Sequence, residues 1–452
     1  MTDFELYRRA RHTASDYQRE AARQRLACAA IRAHPTYGLE RVYYLSKGLF
    51  WFATALPAAL SVLLLQSRGF TLLEVGLFLG VYALTVALLE VPSGMLADSW
   101  GRKRTTLLAY TLLIAAQSVL VWAFSAPLLL VWATLYGAGR ALVSGALEAW
   151  FVDSVEQAAP GRELQPLFAK AGTVELLALT LGTLAGGGLP KLFAGLPEGA
   201  ALSPLSVVLL ASVAVKGVLF AVVLCGVNET RPAQTVQTSR TGFRELLVTT
   251  FSLSRHPTLR LLFGGALLGG FALSGLETFW QPRFAELLGP DTLTLSVILA
   301  GSFGAGMLGN LASVPLCRFL GGRYALVAAL TQGLGGLAFI FLALQTRVVP
   351  AALLFWLVYL TLGMSGSPLQ TLLNRALPSE ARAALLSVAS LMTYVGFFAG
   401  SVVLGGIAER VSVAAAWGVA GVVLTLSVGF YGRLERLEIG KSPQTSTISE
   451  SV

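Results

Sequence analysis

The chemistry available to this sequence lies in charged side chains set inside long apolar runs: Lys47, Glu90, Arg140, Glu148, Glu175, Lys216 and Glu277. A charge at the centre of an apolar helix costs about 2.5–3.5 kcal/mol on insertion scales, so each asks for a partner or a water-filled cavity. Lys47 and Glu90 sit about one helical turn in from the same end of the first two runs, and are expected to pair or to face one polar pocket. Arg140, in Tyr136-Gly137-Ala138-Gly139-Arg140, cannot shed its charge. It is a functional candidate, with a buried pairing to Glu148, two turns on, as the structural alternative. Glu277, beside Phe279 and Trp280, is the acid within the apolar runs of the second half that lies away from the basic edge, and could exchange a proton as a solute binds. The aromatics Trp51, Trp280, Trp356, Tyr359 and Tyr394 are candidate walls of a cavity, a lining that suits amphipathic organic solutes.

Other chemistries find little support. The three histidines, His12, His34 and His256, lie outside the apolar runs, so Ser365 in Gly363-Met364-Ser365-Gly366 has no base for peptide hydrolysis. His-Glu-x-x-His and the phosphate-binding Gly-x-x-x-x-Gly-Lys-Ser/Thr pattern do not occur. Three widely spaced cysteines outline neither a disulfide framework nor a metal site. The expectation is a protein that is not an enzyme and carries no cofactor or metal.

The elements that must hold these residues are membrane helices. The chain is 452 residues long, 55% hydrophobic and only 13% charged, with a mean hydropathy of +0.69. Soluble domains carry about 25% charge, and runs of about 20 apolar residues cross roughly 30 Å of hydrocarbon as helices. We place twelve spans near 42–65, 73–93, 105–124, 128–150, 171–193, 204–227, 259–281, 294–316, 323–345, 350–373, 385–407 and 412–432. The organisation expected is a polar, partly amphipathic segment (1–38), a six-helix bundle (39–227), a polar central linker (228–258), a second six-helix bundle (259–432) and a tail (433–452). No cleavable signal peptide is read at the N-terminus. Lys and Arg fall overwhelmingly on one side of these spans, against Arg68, Lys191, Arg283, Arg347 and Arg410 on the other. That bias predicts cytoplasmic termini, and it accounts for the net charge of +9 without a nucleic-acid partner.

Between the second and third spans lies Gly94-Met95-Leu96-Ala97-Asp98-Ser99-Trp100-Gly101-Arg102-Lys103-Arg104, read as a short polar link. The segment Pro315-Leu316-Cys317-Arg318-Phe319-Leu320-Gly321-Gly322-Arg323 after the eighth span is an eroded copy without the acid. The first link resembles the signature loop of the major facilitator superfamily, with Gly94, Leu96, Ala97, Asp98, Gly101, Arg102 and Lys103 matching. The resemblance extends over residues 40–432. It implies an all-α polytopic fold of twelve transmembrane helices in two pseudo-symmetric six-helix bundles, related by an axis along the membrane normal. It also implies alternating access, with Asp98 toward the first amides of span eleven and Arg102 paired with Asp153, Glu148 being the second choice. Arg140 resembles the span-four arginine of the superfamily's antiporters. Gly182, Gly186, Gly396 and Gly400 in spans five and eleven allow close helix packing.

The function expected is therefore proton-coupled export of a small organic, amphipathic compound across the plasma (inner) membrane by a monomer, with the proton as coupling ion. The alternatives are proton-coupled uptake or uniport of an anionic or zwitterionic solute, which Arg140 and Lys216 would suit, and a sensor that keeps the transporter fold without flux. Asp98→Asn is expected to cut solute flux in vesicles while leaving membrane insertion intact. Full retention of flux would remove the gating role of Asp98.

Overall fold

The computed structural model describes residues 36–143, 145–197, 201–229, 256–289, 291–376 and 382–439. All of its regular elements are helical among these residues. The N-terminal segment up to residue 35, most of the central linker and the end of the tail lie outside them.

Span one is two helices, Tyr37–Ala55 and Ser61–Ser67, separated by a turn around Pro57. Proline supplies no amide and fixes its own φ, so a run read as continuous from 42 to 65 breaks here. Span two is Leu72–Trp100, opened by a capping box in which Thr71 and Glu74 satisfy each other's backbone amides. It continues through Gly94 and Asp98, so the polar link expected over 94–104 is helical on both sides of one residue. That residue is Gly101, whose φ of +103° reverses the chain before span three, Arg102–Val121. Span four is also discontinuous: Ala126–Val143 and Ala146–Ala158 meet at Gly145, with φ +83°. The remaining spans are Gln165–Leu192, Val207–Gly226, Pro257–Leu288, Thr292–Phe319, Tyr324–Ala343, Val348–Ala376, Arg382–Arg410 and, for the twelfth, Val413–Leu426 with Val428–Ile439. Eleven candidate spans among the described residues are long and apolar enough to cross a membrane; the split first span brings the fold to twelve.

The two halves repeat one another in their tightest contacts. In span five, a Cβ on Gly182 would meet the Phe52 carbonyl oxygen at 2.6 Å, and one on Gly186 would strike the Leu56 carbonyl. In span eleven, Gly396 lies against the Leu267 carbonyl and Gly400 against that of Phe271. The same four-residue glycine step thus seats span five on span one and span eleven on span seven.

The apolar core is arranged unevenly along the membrane normal. At the end away from Gly101, one cluster of buried side chains runs across both halves, including Leu64, Phe78, Leu276, Phe284, Leu295 and Trp417. At the end that carries Gly101, called here the basic end, each half has its own cluster, around Tyr43, Trp150 and Phe151 in one and Leu262, Phe263 and Tyr431 in the other. The halves share one apolar core at the far end, while at the basic end each keeps its own and spans two and eleven carry the contact between them. Overpacking a close helix contact costs about 1–3 kcal/mol. Gly400→Leu is therefore expected to lower the melting temperature in detergent by several degrees, while Gly188→Leu, whose Cβ has nothing within 4 Å, leaves it within a degree or so.

Candidate transport site

Arg140 stands at mid-depth, one turn above the break in span four. Its guanidinium carbon lies 5.4 Å from the Phe50 ring centroid and 5.3 Å from that of Trp51. Tyr82, Tyr136 and Tyr394 are within electrostatic reach, and the Tyr82 hydroxyl is within hydrogen-bonding reach. Tyr136 packs against Tyr82 at 5.6 Å and against Trp132 at 5.9 Å. Arg140 is not the partner of Glu148. Behind Tyr136, the fully buried Lys216 donates to Gln117 Oε1 at 3.1 Å and to Ser212 Oγ at 2.9 Å, and lies 5.7 Å from the Tyr136 ring centroid. Tyr82 and Tyr136 were absent from the sequence expectations. The signal for Tyr136 was present, since a residue four before Arg140 shares its helix face.

Several expected placements are corrected. Lys47 does not meet Glu90. It pairs with Glu175 at 3.3 Å and lies 4.0 Å from Glu148, because spans five and four, not span two, pack against its face of span one. Glu90 instead turns toward Ser390 of span eleven, with one carboxylate oxygen buried without a partner. Of the expected cavity aromatics, Trp280 is 1% exposed and packs between Phe284 and Phe355, so it belongs to the core. Trp356 also serves packing, with its indole on Gly301 and its Nε1 donating to the Ile298 carbonyl at 2.8 Å. Trp51, Tyr359 and Tyr394 remain beside the charged groups. Glu277 accepts a 2.7 Å hydrogen bond from the Tyr359 hydroxyl. It is exposed although its neighbours Leu276, Thr278, Phe279 and Trp280 are all buried and protein surrounds it. Accessible surface at such a position faces an internal cavity.

Around Gly101, Arg102 pairs with Asp153 and donates to the Ala149 carbonyl. The side chain of Asp98 and the first residues before span eleven lie outside what is described. A residue not foreseen from sequence completes the junction. Glu229, just past span six, accepts the amides of Arg102 at 2.8 Å and Lys103 at 3.3 Å, capping span three. A carboxylate is favoured at a helix N-terminus, and the missing side chain of Gly101 leaves it room. The other half repeats the device: Glu435, within the helix Val428–Ile439 that completes span twelve, accepts the Leu326 amide at 3.0 Å at the start of span nine, and binds Arg323.

This is the geometry of a solute carrier: two repeated halves, sealed at one end, with charged and aromatic groups gathered at mid-depth. The profile of the Major Facilitator Superfamily matches residues 44–401. The chain belongs to that superfamily. It is a membrane transporter rather than an enzyme. One curated relative, the uncharacterized MFS-type transporter YxaM of Bacillus subtilis (strain 168), is 25% identical over 151 residues, which are 32% of this chain and 36% of the relative. The match thus spans about a third of either protein. Among solved structures, a mutant of the nucleoside transporter NupG superposes with TM-score 0.70 at 14% identity, covering 90% of this chain and 99% of that one. A POT family transporter in complex with 5-aminolevulinic acid gives 0.66 at 13% identity over 87% and 96%. A bacterial homolog of the human lysosomal transporter Spinster gives 0.64 at 16% over 91% and 99%. These structures share the fold.

The sealed end is held by polar contacts between the halves. Gln281 of span seven spans the break in span one, its Oε1 accepting the Val62 amide at 2.9 Å and its Nε2 donating to the Ala58 carbonyl at 2.9 Å. Lys191 pairs with Asp291 at 2.8 Å, and the Thr292 hydroxyl donates to the Gly187 carbonyl at 2.8 Å. The Lys191 ammonium, with the Thr294 hydroxyl, holds the Asp291 carboxyl down to about 2, below its ordinary 3.8. The folded value is depressed, so the contribution of this pair is complete above the ordinary carboxylate range and is lost as pH falls through about 2. The seal should therefore be insensitive to pH near neutrality. A cysteine placed by Ser296→Cys, with the native cysteines replaced, is expected to react with a thiol reagent equally slowly at about pH 5.5 and 7.5 after correction for thiolate content. Asp291→Asn should raise that rate several-fold.

Proposed function

We propose that the protein is a proton-coupled secondary transporter that moves a small organic compound by alternating access, with the basic end and both termini in the cytoplasm of a plasma (inner) membrane. The observation that carries this reading is the uneven core. One apolar cluster joins the halves at the end opposite Gly101, and a separate cluster serves each half at the basic end. A solute reaches the mid-depth groups from the basic side in this state. Reaching them from the other side requires Gln281 to leave the span-one break and Lys191 to leave Asp291.

Two acids are positioned to carry the proton. Glu277 faces the cavity from span seven and shares a hydrogen bond with Tyr359. Glu90 bridges to span eleven, so its protonation acts on a contact between the halves. One proton falling through 100 mV supplies about 2.3 kcal/mol, enough to drive a modest solute gradient. The span-five glycines are accounted for by packing against span one. The same cycle run either way moves solute out or in. The positive groups at mid-depth favour a solute with a negative charge over a cationic drug.

In proteoliposomes with an imposed pH gradient, a transported organic solute is expected to move protons with it. Glu277→Gln should abolish that proton movement while solute exchange at equal pH persists. Proton movement that survives the substitution would remove Glu277 as the carrier, and a protein that moves no solute under any gradient would be a sensor.

A further inference from the structure

We infer that the mid-depth pocket binds a planar aromatic carboxylate, its negative group on Arg140 and its ring among Trp51, Tyr82, Tyr136 and Tyr394. The inference rests on the transport reading and names the class of solute. It starts from an electrostatic imbalance. Lys216 lies 5.7 Å from the Tyr136 ring centroid, and Arg140 sits one turn on from Tyr136 along span four; among the described residues neither cation has a carboxylate within ion-pairing distance. The nearby acids are engaged elsewhere: Glu148 and Glu175 face Lys47, Glu90 turns toward Ser390, and Glu277 bonds to Tyr359. Lys216 is satisfied only by neutral groups, Gln117 and Ser212. An arginine without a counter-charge within a membrane protein leaves a place for an anion from outside.

The two cations divide the work. Lys216 is fully buried behind Tyr136 and supplies field but no contact. Arg140 is only half-buried, and its planar fork matches both oxygens of a carboxylate. What surrounds that fork is flat. Phe50 and Trp51 lie 5.4 and 5.3 Å from it, and Tyr136, one turn before it on span four, stacks on Trp132 and tilts against Tyr82. Such walls reward a ring over a puckered or branched chain. Tyr394 comes from span eleven, in the other half, and lies within electrostatic reach of Tyr82, Glu90 and Arg140. A ring held there touches both halves, so its binding bears on their approach.

The test uses the purified full-length protein and four probes: benzoate, cyclohexanecarboxylate, benzyl alcohol and benzylamine, each titrated by calorimetry at neutral pH. Benzoate is expected to bind roughly tenfold or more tightly than cyclohexanecarboxylate, with no measurable binding of the alcohol or the amine. Arg140→Lys keeps the charge but loses the fork, and should weaken benzoate by about tenfold; Arg140→Gln should abolish its binding. Trp51→Ala should bring the two carboxylates to equal affinity. The inference is overturned if benzylamine or benzyl alcohol binds more tightly than benzoate, if benzoate does not bind at all, or if Arg140→Lys and Arg140→Gln both leave benzoate affinity unchanged. The Ser296→Cys reactivity assay separates this from the transport reading. Benzoate binding with a seal that never opens would overturn transport and leave the site standing. A seal that opens for a cation and ignores benzoate would leave transport standing and overturn the site.

Discussion

A polar group in hydrocarbon has no water to turn to, so it must find its partner within the protein. Much of this structure follows from that constraint. Span one breaks at Pro57 and exposes backbone groups that a continuous helix would have paired. Gln281 reaches across from the other half to take one amide and one carbonyl. Leaving either unsatisfied would cost about 1–3 kcal/mol, so the break in one half and the amide in the other hold the sealed end together. The same rule sorts the charges. Lys47 is met by two acids, Arg102 by Asp153, and Arg323 by Glu435. Lys216 is met by neutral groups alone, Gln117 and Ser212, and Arg140 has no carboxylate partner among the described residues.

The fold was legible because hydrocarbon imposes length and polarity on every span. Twelve apolar runs, their division into two halves and the basic bias of one side follow from composition and spacing. Partner identity was harder to read. Lys47 and Glu90 have matching depths, but depth does not say which way a side chain points around its helix, and packing turned Lys47 toward spans four and five. Trp280 and Trp356 carry the composition of a cavity wall and serve packing instead, since an indole suits a tight helix interface equally well. Asp98 sits within a helix because Gly101 alone makes the reversal, a compactness that a string of polar residues conceals. Glu229 could not have been found at all: it lies 127 residues from the amide it caps, and only the fold brings them together.

The pseudo-symmetry between the halves is most informative where it is incomplete. Glycine steps seat span five on span one and span eleven on span seven alike, and an acid that follows each half's sixth-span core caps the third helix of its own half. The shared parts are scaffold. The unshared parts cluster at mid-depth, where the first half holds the cations Arg140 and Lys216 and the second holds the acid Glu277. A site built from unlike halves can bind at one wall and take up a proton at the other, so that binding and coupling need not compete for one side chain.

The cap by Glu229 bears on how the polypeptide could be divided. Its carboxylate lies three residues beyond the end of span six and closes the start of span three, so the first half carries its own fastening. Two separately made pieces, divided beyond residue 229, would keep this cap whole within the first piece. A cut only a few residues earlier would leave the third helix uncapped beside Arg102. The natural seam of the chain thus falls after Glu229, at a point that hydropathy alone does not mark.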